Sequence, residues 1–440
     1  MAALHAVILA DGPHALERVA GLTLRERARR VVVRAGAERV LVIEHPEQLA
    51  TVGAWWREAP ADRLLVVRAR DQVIHTPLIA PIVAERGRVV AVAPAQAAAP
   101  DVPAGGYAGA FIVLASEADA VLAALAAGEA DTAIGARLLA DGAPTAAHGA
   151  IARHPVTSRD ERKAAARLLY KIVHKPQDNA ITRYLYRPIS FPLTKLFLRT
   201  PITPNQISSI TGAMVAIGIW LTAQMSMNRV IAGTALCLAA AYVDCCDGEV
   251  ARLKLLSSKI GAWLDTIIDE LSSVAYMLAI GWHCHLYFGP NYFGDLGFDP
   301  WIVTTWIGLA TYLISIYCIY YNIIVMVGSA NSQDYVGRFE AVPGDAPNTM
   351  RLRPVVATAV DTSKLSPMGK LFAVYLPNVV RRDFISWAAL AFAVTHTTHA
   401  AFATLIAGGL GAVVVTMTDH IRLRLQRRAI VRSGQILVGR

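Results

Sequence analysis

The 440-residue chain is 55% apolar and 17% charged, with a formal net charge of +9. Its positive mean hydropathy, +0.42, excludes an ordinary soluble protein, and its length excludes a single ordinary domain. All five cysteines (Cys237, Cys245, Cys246, Cys284, Cys318) lie in or beside the apolar half without zinc-type or disulfide spacing, so they read as small membrane-buried apolar residues.

In chain order, residues 1–155 are rich in Ala, Val, Arg and Glu and read as a soluble domain. The first apolar run, Ala6 to Ala10, is too short for a signal peptide and lacks a basic leader, so this domain is expected to fold in the cytoplasm. AVILA (6–10) and RVLVIE (39–44) read as buried strands, with the Arg-rich amphipathic helix LRERARRVVVRAG between them. RLLVVRA (63–69), GAFIVLA (109–115) and a helical stretch from Glu117 to Ala127 follow. Strands alternating with helices predict an α/β, Rossmann-like domain with a largely parallel sheet.

Residues 156–205 form a basic linker. Between Ser158 and Arg199, the apolar Leu168, Leu169, Ile172 and Val173 are interleaved with Arg and Lys, as in a helix lying in a membrane interface. A solvated linker helix is the alternative. Residues 206–440 then contain apolar stretches approaching the ~20 residues needed to cross a bilayer. They predict an all-α bundle of six spans near 207–226, 229–246, 260–284, 301–328, 384–398 and 400–419. Basic residues crowd the segment before the first span and the loop after the second (Arg252, Lys254, Lys259). They also crowd the loop after the fourth (Arg338, Arg351, Arg353, Lys364, Lys370, Arg381, Arg382) and the tail (Arg422, Arg424, Arg427, Arg428). The loops between spans 3 and 4 and between spans 5 and 6 have no Lys or Arg. The positive-inside rule then places both termini in the cytoplasm, in a multi-pass protein of the plasma or inner membrane.

The chemistry concentrates in YVDCCDGEVARLKLLSSKIGAWLDTIIDE, residues 242–270. Asp244 and Asp247 are one helical turn apart, as are Asp265 and Asp269, so each pair shares a helix face. Both pairs fall near the cytoplasmic ends of adjacent spans joined by a tight turn, where four carboxylates can converge and unpaired charge is costly. Oxygen ligands without His or thiolate point to hard divalent cations, Mg²⁺ or Mn²⁺. Gly248, Ala251 and Gly261 remove bulk where a ligand approaches, and Arg252 places a cation suited to phosphate beside the carboxylates. Arg338, Arg381 and Arg382 bracket the long fourth loop and are candidates for the phosphate of an acceptor; the positive-inside bias alone is the alternative.

These residues carry a resemblance. Asp244, Asp247, Gly248, Ala251, Arg252, Gly261, Asp265 and Asp269 match without gaps the D-x-x-D-G-x-x-A-R-x8-G-x-x-x-D-x-x-x-D signature of the CDP-alcohol phosphotransferases. TPNQIS (203–208) entering the first span also looks like that family, and HKPQDNAITRYLYRPIS (174–190) is similar to the membrane half of fused enzymes that make di-inositol phosphate phosphate. The resemblance implies a two-metal centre held by Asp244, Asp247 and Asp265, with Asp269 joining the metal set and serving as the base for the acceptor hydroxyl. It implies a CDP site formed by Asp244, Asp247, Gly248, Ala251, Arg252, Gly261 and Asn205, with Arg252 on a diphosphate oxygen. The implied reaction moves a substituted phosphoryl group from a CDP-alcohol to an alcohol or polyol-phosphate acceptor and releases CMP. The expected partners are those two substrates, the lipid bilayer and a second copy of the chain in a homodimer, with no nucleic acid.

The N-terminal segment HAVILADGPHALERVAGLTLRERARRVVVRAGAERVLVI resembles the start of a sugar-phosphate nucleotidyltransferase, with one departure. Active members cradle a triphosphate with L-A-A-G-x-G-x-R. Here the loop reads Leu9-Ala10-Asp11-Gly12-Pro13-His14, so a glycine is lost, Pro13 removes an amide donor and Asp11 adds negative charge. No Lys occurs between Pro13 and Arg39, and Asp71 is a lone match to a metal-binding Asp. The domain therefore reads as a degenerate scaffold or regulatory unit. Two other classes compete for the membrane half. Membrane prenyltransferases carry two separated aspartate motifs without the G-x-x-A-R link, and transporters with intramembrane acids carry repeated halves with broken helices; only one aspartate cluster is present here. Donor and acceptor stay open between CDP-inositol with inositol phosphate and CDP-diacylglycerol with glycerol phosphate, inositol phosphate or serine.

Overall fold

Runs of buried Val, Ile and Leu build the sheet of the N-terminal unit. In this computed structural model, which describes residues 3–97, 101–173, 181–328, 335–344, 346, 348–355 and 382–437, the chain divides into two compact units. The first comprises residues 1–177, 194–201 and 249–256; the second comprises residues 178–193, 202–248 and 257–440.

The first unit holds β1 (Leu4–Leu9), β2 (Arg39–Ile43), β3 (Arg63–Arg68), β4 (Val89–Val92), β5 (Tyr107–Leu114) and β6 (Thr145–Ala147). They lie side by side in the order β2-β1-β3-β5-β4-β6. Ala6 and Ile8 enter one core with Val31, Val32, Leu65 and Ile79, whereas Val7 and Leu9 enter the opposite core with Trp56, Val66 and Phe111. This two-residue alternation, with both faces covered, makes the central strands continuously apolar. The helices of this unit are α1 (Leu24–Arg34), α2 (Val52–Glu58), α3 (Thr76–Ala84), α4 (Ala115–Ala126), α5 (Asp131–Ala140) and α6 (Arg159–Tyr170). Thr23 caps α1 by accepting from the Glu26 amide, and Glu26 pairs with Arg30 one turn on.

The sheet is largely parallel, as expected, with one reversed strand. β1 is parallel to β2 and β3, and β4 to β6, but β5 runs antiparallel to both of its neighbours. Among the described residues, no α-helix lies between β4 and β5, so this pair lacks the crossover that parallel pairing requires. The linker also departs from the interfacial reading. Leu168, Leu169 and Val173 are buried within the protein, where α6 packs on the short strands Arg153–Pro155 and Arg18–Val19, so this apolar face is not available to lipid. The neighbouring α7 (Arg187–Leu198) instead leaves Ile189 and Leu196 exposed.

Among its described residues, the second unit contains six apolar helices: α8 (Pro204–Thr222), α9 (Met227–Leu253, whose last turn belongs to the first unit), α10 (Lys259–Phe288), α11 (Pro300–Tyr320), α12 (Arg382–Val394) and α13 (Thr398–Arg432). Among the described residues, three stretches are long and apolar enough to cross a membrane: Met227–Leu253, Pro300–Val327, where α11 continues through a π-helical turn, and Thr398–Arg432. Small residues let the helices approach. A Cβ on Gly233 of α9 would stand 2.5 Å from the Gly218 carbonyl of α8, and one on Gly281 of α10 would stand 2.1 Å from Thr305 Oγ1 of α11. The long fourth loop, expected only as a basic connection, contains a hairpin of Phe339–Pro343 and Thr349–Pro354, to which Ile436–Leu437 adds a parallel strand. The five cysteines are free, and each is buried or half-buried.

Candidate active site

α9 and α10 position the acidic residues. Thr203 starts α8 with a reciprocal capping box to Gln206, and Ser258 starts α10 by accepting from the Gly261 amide at 2.9 Å. Between those caps, one carboxylate oxygen each from Asp244, Asp247 and Asp265 lies within 4.8 Å of the others. Asp247 is 9% exposed, and Asp244 and Asp265 are half-buried. Three carboxylates this close require positive charge between them, and an all-oxygen donor set fits a hard divalent cation.

Asp269, one turn further along α10 than Asp265, stands outside that group of three. The hydroxyls of Ser272 and Ser273 donate to its main-chain carbonyl. Asn205 and Gly261, expected together in the CDP site, do converge: a Cβ on Gly261 would lie 3.6 Å from Asn205 Oδ1 and 3.1 Å from Ser258 Oγ. Gly248 belongs to the second unit, while Ala251 and Arg252 belong to the first, where Arg252 Nη2 donates to the Val173 carbonyl at 3.4 Å. Arg338 is exposed and its carbonyl accepts from the Val355 amide. Arg381 and the side chain of Arg382 lie outside the described residues.

Two polar contacts were not read from the sequence. Ser208, the last residue of TPNQIS, donates to Asp247 Oδ2 at 2.5 Å and so orients one of the three ligands from α8. Glu270, next to Asp269, accepts from the phenols of Tyr312 (2.7 Å) and Tyr320 (2.9 Å), which ties α10 to α11. A lone hydroxyl in a motif and a single acid after an aspartate give little signal by themselves. Ser208's only clue was its membership of TPNQIS.

In the first unit, the loop after β1 is closed by its own charges. Asp11 pairs with Arg70 at 2.5 Å, and Arg70 also reaches Asp131 at 3.7 Å. Burial pushes the Asp131 carboxyl above its usual range, against the opposing pull of Arg68 and Arg70. A Cβ on Gly12 would strike the Arg70 main chain at 2.8 Å. Asp71 is held bidentately by Arg68, and Arg153 by Asp101, around a cavity of about 400 Å³.

With this geometry in place, residues 201–395 match the family described as CDP-alcohol phosphatidyltransferase. The chain is 28% identical over 152 residues to the bifunctional IPC transferase and DIPP synthase of Aquifex aeolicus, covering 34% of this chain and 32% of that protein. It is 38% identical over 106 residues to the protein of the same name from Rubrobacter xylanophilus, covering 24% of each. It is 32% identical over 91 residues to the phosphatidylinositol phosphate synthase of Corynebacterium glutamicum, covering 21% of this chain and 41% of that one. The matched stretches thus span a third or less of the first two relatives. Among solved structures, a Bacillus anthracis protein described as a glucose-1-phosphate thymidylyltransferase aligns with 38% of this chain and 95% of its own, at a TM-score of 0.29 and 11% identity.

Proposed function

We propose that the protein is a membrane transferase that moves a substituted phosphoryl group from a CDP-alcohol to an alcohol or polyol-phosphate acceptor and releases CMP. The observation that carries this reading is the convergence of Asp244, Asp247 and Asp265 within the stretch that matches the family, residues 201–395. Those three residues would hold Mg²⁺ or Mn²⁺, two ions in our reading, whose chemistry is to neutralise the diphosphate and the departing CMP. Ser208 fixes the Asp247 carboxylate through its hydrogen bond. Gly248, Ala251, Gly261 and Asn205 leave room for and contact the cytidine, and Arg252 binds a diphosphate oxygen. Asp269 takes the acceptor's hydroxyl proton as that oxygen attacks the β-phosphorus and the bond to CMP breaks. The same reading includes six spans, cytoplasmic termini and a homodimer.

The relatives' names make inositol phosphate the first acceptor to try. A second reading, a CDP-diacylglycerol donor with glycerol phosphate, inositol phosphate or serine, is favoured by the phosphatidylinositol phosphate synthase likeness. Purified full-length protein given radiolabelled CDP-alcohols should release CMP only with Mg²⁺ or Mn²⁺, and mass spectrometry of the product decides between the two readings. No CMP release from any donor in either metal would remove both. The N-terminal unit, whose loop cations are paired with Asp11, Asp71 and Asp101, acts in this reading as a degenerate scaffold. The full-length chain should accordingly release no pyrophosphate from CTP and a sugar or inositol phosphate.

A further inference from the structure

Residues 249–256, the end of α9 and its exit turn, belong to the same compact unit as residues 1–177. Arg27 of α1 is fully buried, and all of its hydrogen bonds go to main-chain carbonyls: Nη1 to Leu253 at 3.0 Å, Nη2 to Val19 at 2.9 Å and to Ala20 at 3.2 Å. Burial lowers its pKa to about 10, so it stays charged at neutral pH. Arg30, one turn along, donates to the Lys254 carbonyl at 2.8 Å, and Lys254 Nζ donates to the Thr200 carbonyl at 2.9 Å. Leu255 belongs to the same buried core as Val31 and Val32. Both segments joined by Arg27 are strained: Ala20 has φ +48° and Leu255 φ +55°, left-handed conformations that cost a non-glycine residue roughly 1–3 kcal/mol. The exit turn's own amides pair the Val250, Ala251 and Arg252 carbonyls, and the two arginines take up the next two, those of Leu253 and Lys254.

We propose that the N-terminal domain is a clamp on the exit of α9, and that Arg27, seconded by Arg30, is a positioning residue for the donor-binding segment that contains Ala251 and Arg252. This role rests on the transferase reading above. A helix end that frays would release Arg252, which lies one residue before the clamped Leu253 carbonyl, whereas a helix end held at its terminal carbonyls keeps Ala251 and Arg252 in register with Asp247 on the same helix.

The test compares full-length wild type with Arg27→Met, Arg27→Lys and Arg30→Gln, by hydrogen exchange and by separate donor and acceptor kinetics. Loss of charged hydrogen bonds to the helix end should speed exchange at residues 249–256 and raise the CDP-alcohol KM by about tenfold or more. Acceptor KM should change by less than about twofold, and Arg27→Lys should recover part of the loss. Faster exchange with unchanged donor KM, or equal changes in both KM values, would overturn the positioning role; unchanged exchange at 249–256 would overturn the clamp. If Arg27→Met fails to fold, the half-exposed Arg30→Gln decides the same question. Should wild type itself release no CMP, the transferase reading falls, and the exchange measurement still judges the clamp.

Discussion

Replacing Asp244 by Asn should make the metal-free protein more stable and the metal-bound protein less so. Three carboxylate oxygens within 4.8 Å repel one another. At an effective dielectric of about 20, each pair at that distance costs about 3 kcal/mol before neighbouring cations and salt reduce it. The substitution removes two of the three pairs, so even strong screening leaves a gain on the order of 1 kcal/mol without metal. With metal, the sign reverses. A cation that binds only the folded state adds about 2.7 kcal/mol at one hundred times its Kd, and a weakened site loses that increment.

The assay is the apparent unfolding temperature in detergent at a fixed scan rate, with EDTA and with Mg²⁺. In EDTA, Asp244→Asn should melt above wild type; in Mg²⁺, wild type should rise and the variant should rise much less. Excess Mg²⁺ should partly restore turnover in the variant. An Mg²⁺-induced rise equal to that of wild type would refute the assignment of Asp244 as a ligand, whatever the effect on activity.

Asp269→Asn should cut turnover by ~10²–10⁴ while leaving donor binding, because it removes the base and keeps the shape; near-normal turnover would remove that role. Gly233→Ala would drive a Cβ to 2.5 Å from the Gly218 carbonyl, a backbone atom that cannot yield. Separating α8 from α9 should cost about 1–3 kcal/mol and lower activity through the Ser208–Asp247 contact, and a fully active, equally stable variant would contradict the packing. Buried His75 has its pKa pushed down to about 4, first by burial and then by Arg27 and Arg34. Because the unfolded state takes up the proton first, stability should be intact above about pH 6.5 and fall by about 3 kcal/mol as pH drops to about 4. His75→Gln should flatten that loss in a pH series of unfolding midpoints, and parallel losses would count against it. Arg338→Ala should raise the acceptor KM and leave the CDP-alcohol KM nearly unchanged, whereas equal effects would reduce the residue to membrane-side charge.

The grouping of Asp244, Asp247 and Asp265 was legible because helical spacing carries its own geometry, residues one turn apart sharing a face wherever the helix sits, whereas Asp269, expected with them, stands outside the group. The direction of β5 was not, since two-residue alternation is identical in parallel and antiparallel strands. The Phe339–Pro354 hairpin hid behind the positive charge of its loop, although Gly344 and Asn348 lie between its strands and Asn348 takes φ +61°. The apolar stripe of α6 was assigned to lipid because amphipathic periodicity reports that a face is buried and not what buries it. Ser208 and Glu270 escaped because their roles depend on neighbours from other helices, at sequence separations of 39 for Ser208–Asp247 and 42 for Glu270–Tyr312.

The Arg-rich helix near the N-terminus is the sharpest case. It reads as an Arg-rich amphipathic helix, yet Arg27 is its most buried polar residue, and the reason lies more than two hundred positions away at Leu253. A domain that gripped a triphosphate would keep its cations available for the ligand. Here Arg68, Arg70 and Arg153 are engaged by Asp71, Asp11 and Asp101, while Arg27 and Arg63 are engaged by carbonyls of their own unit. Asp11 stands where the loop would need an anion's partner, and Pro13 withholds an amide. Such internal pairing would rigidify the fold and lower its affinity for phosphate at the same time. Rigidity is what a clamp on the end of α9 requires. The proposed loss of nucleotide chemistry and the proposed clamp would then share one physical origin, the engagement of Arg27, Arg63, Arg68, Arg70 and Arg153 by groups of their own unit.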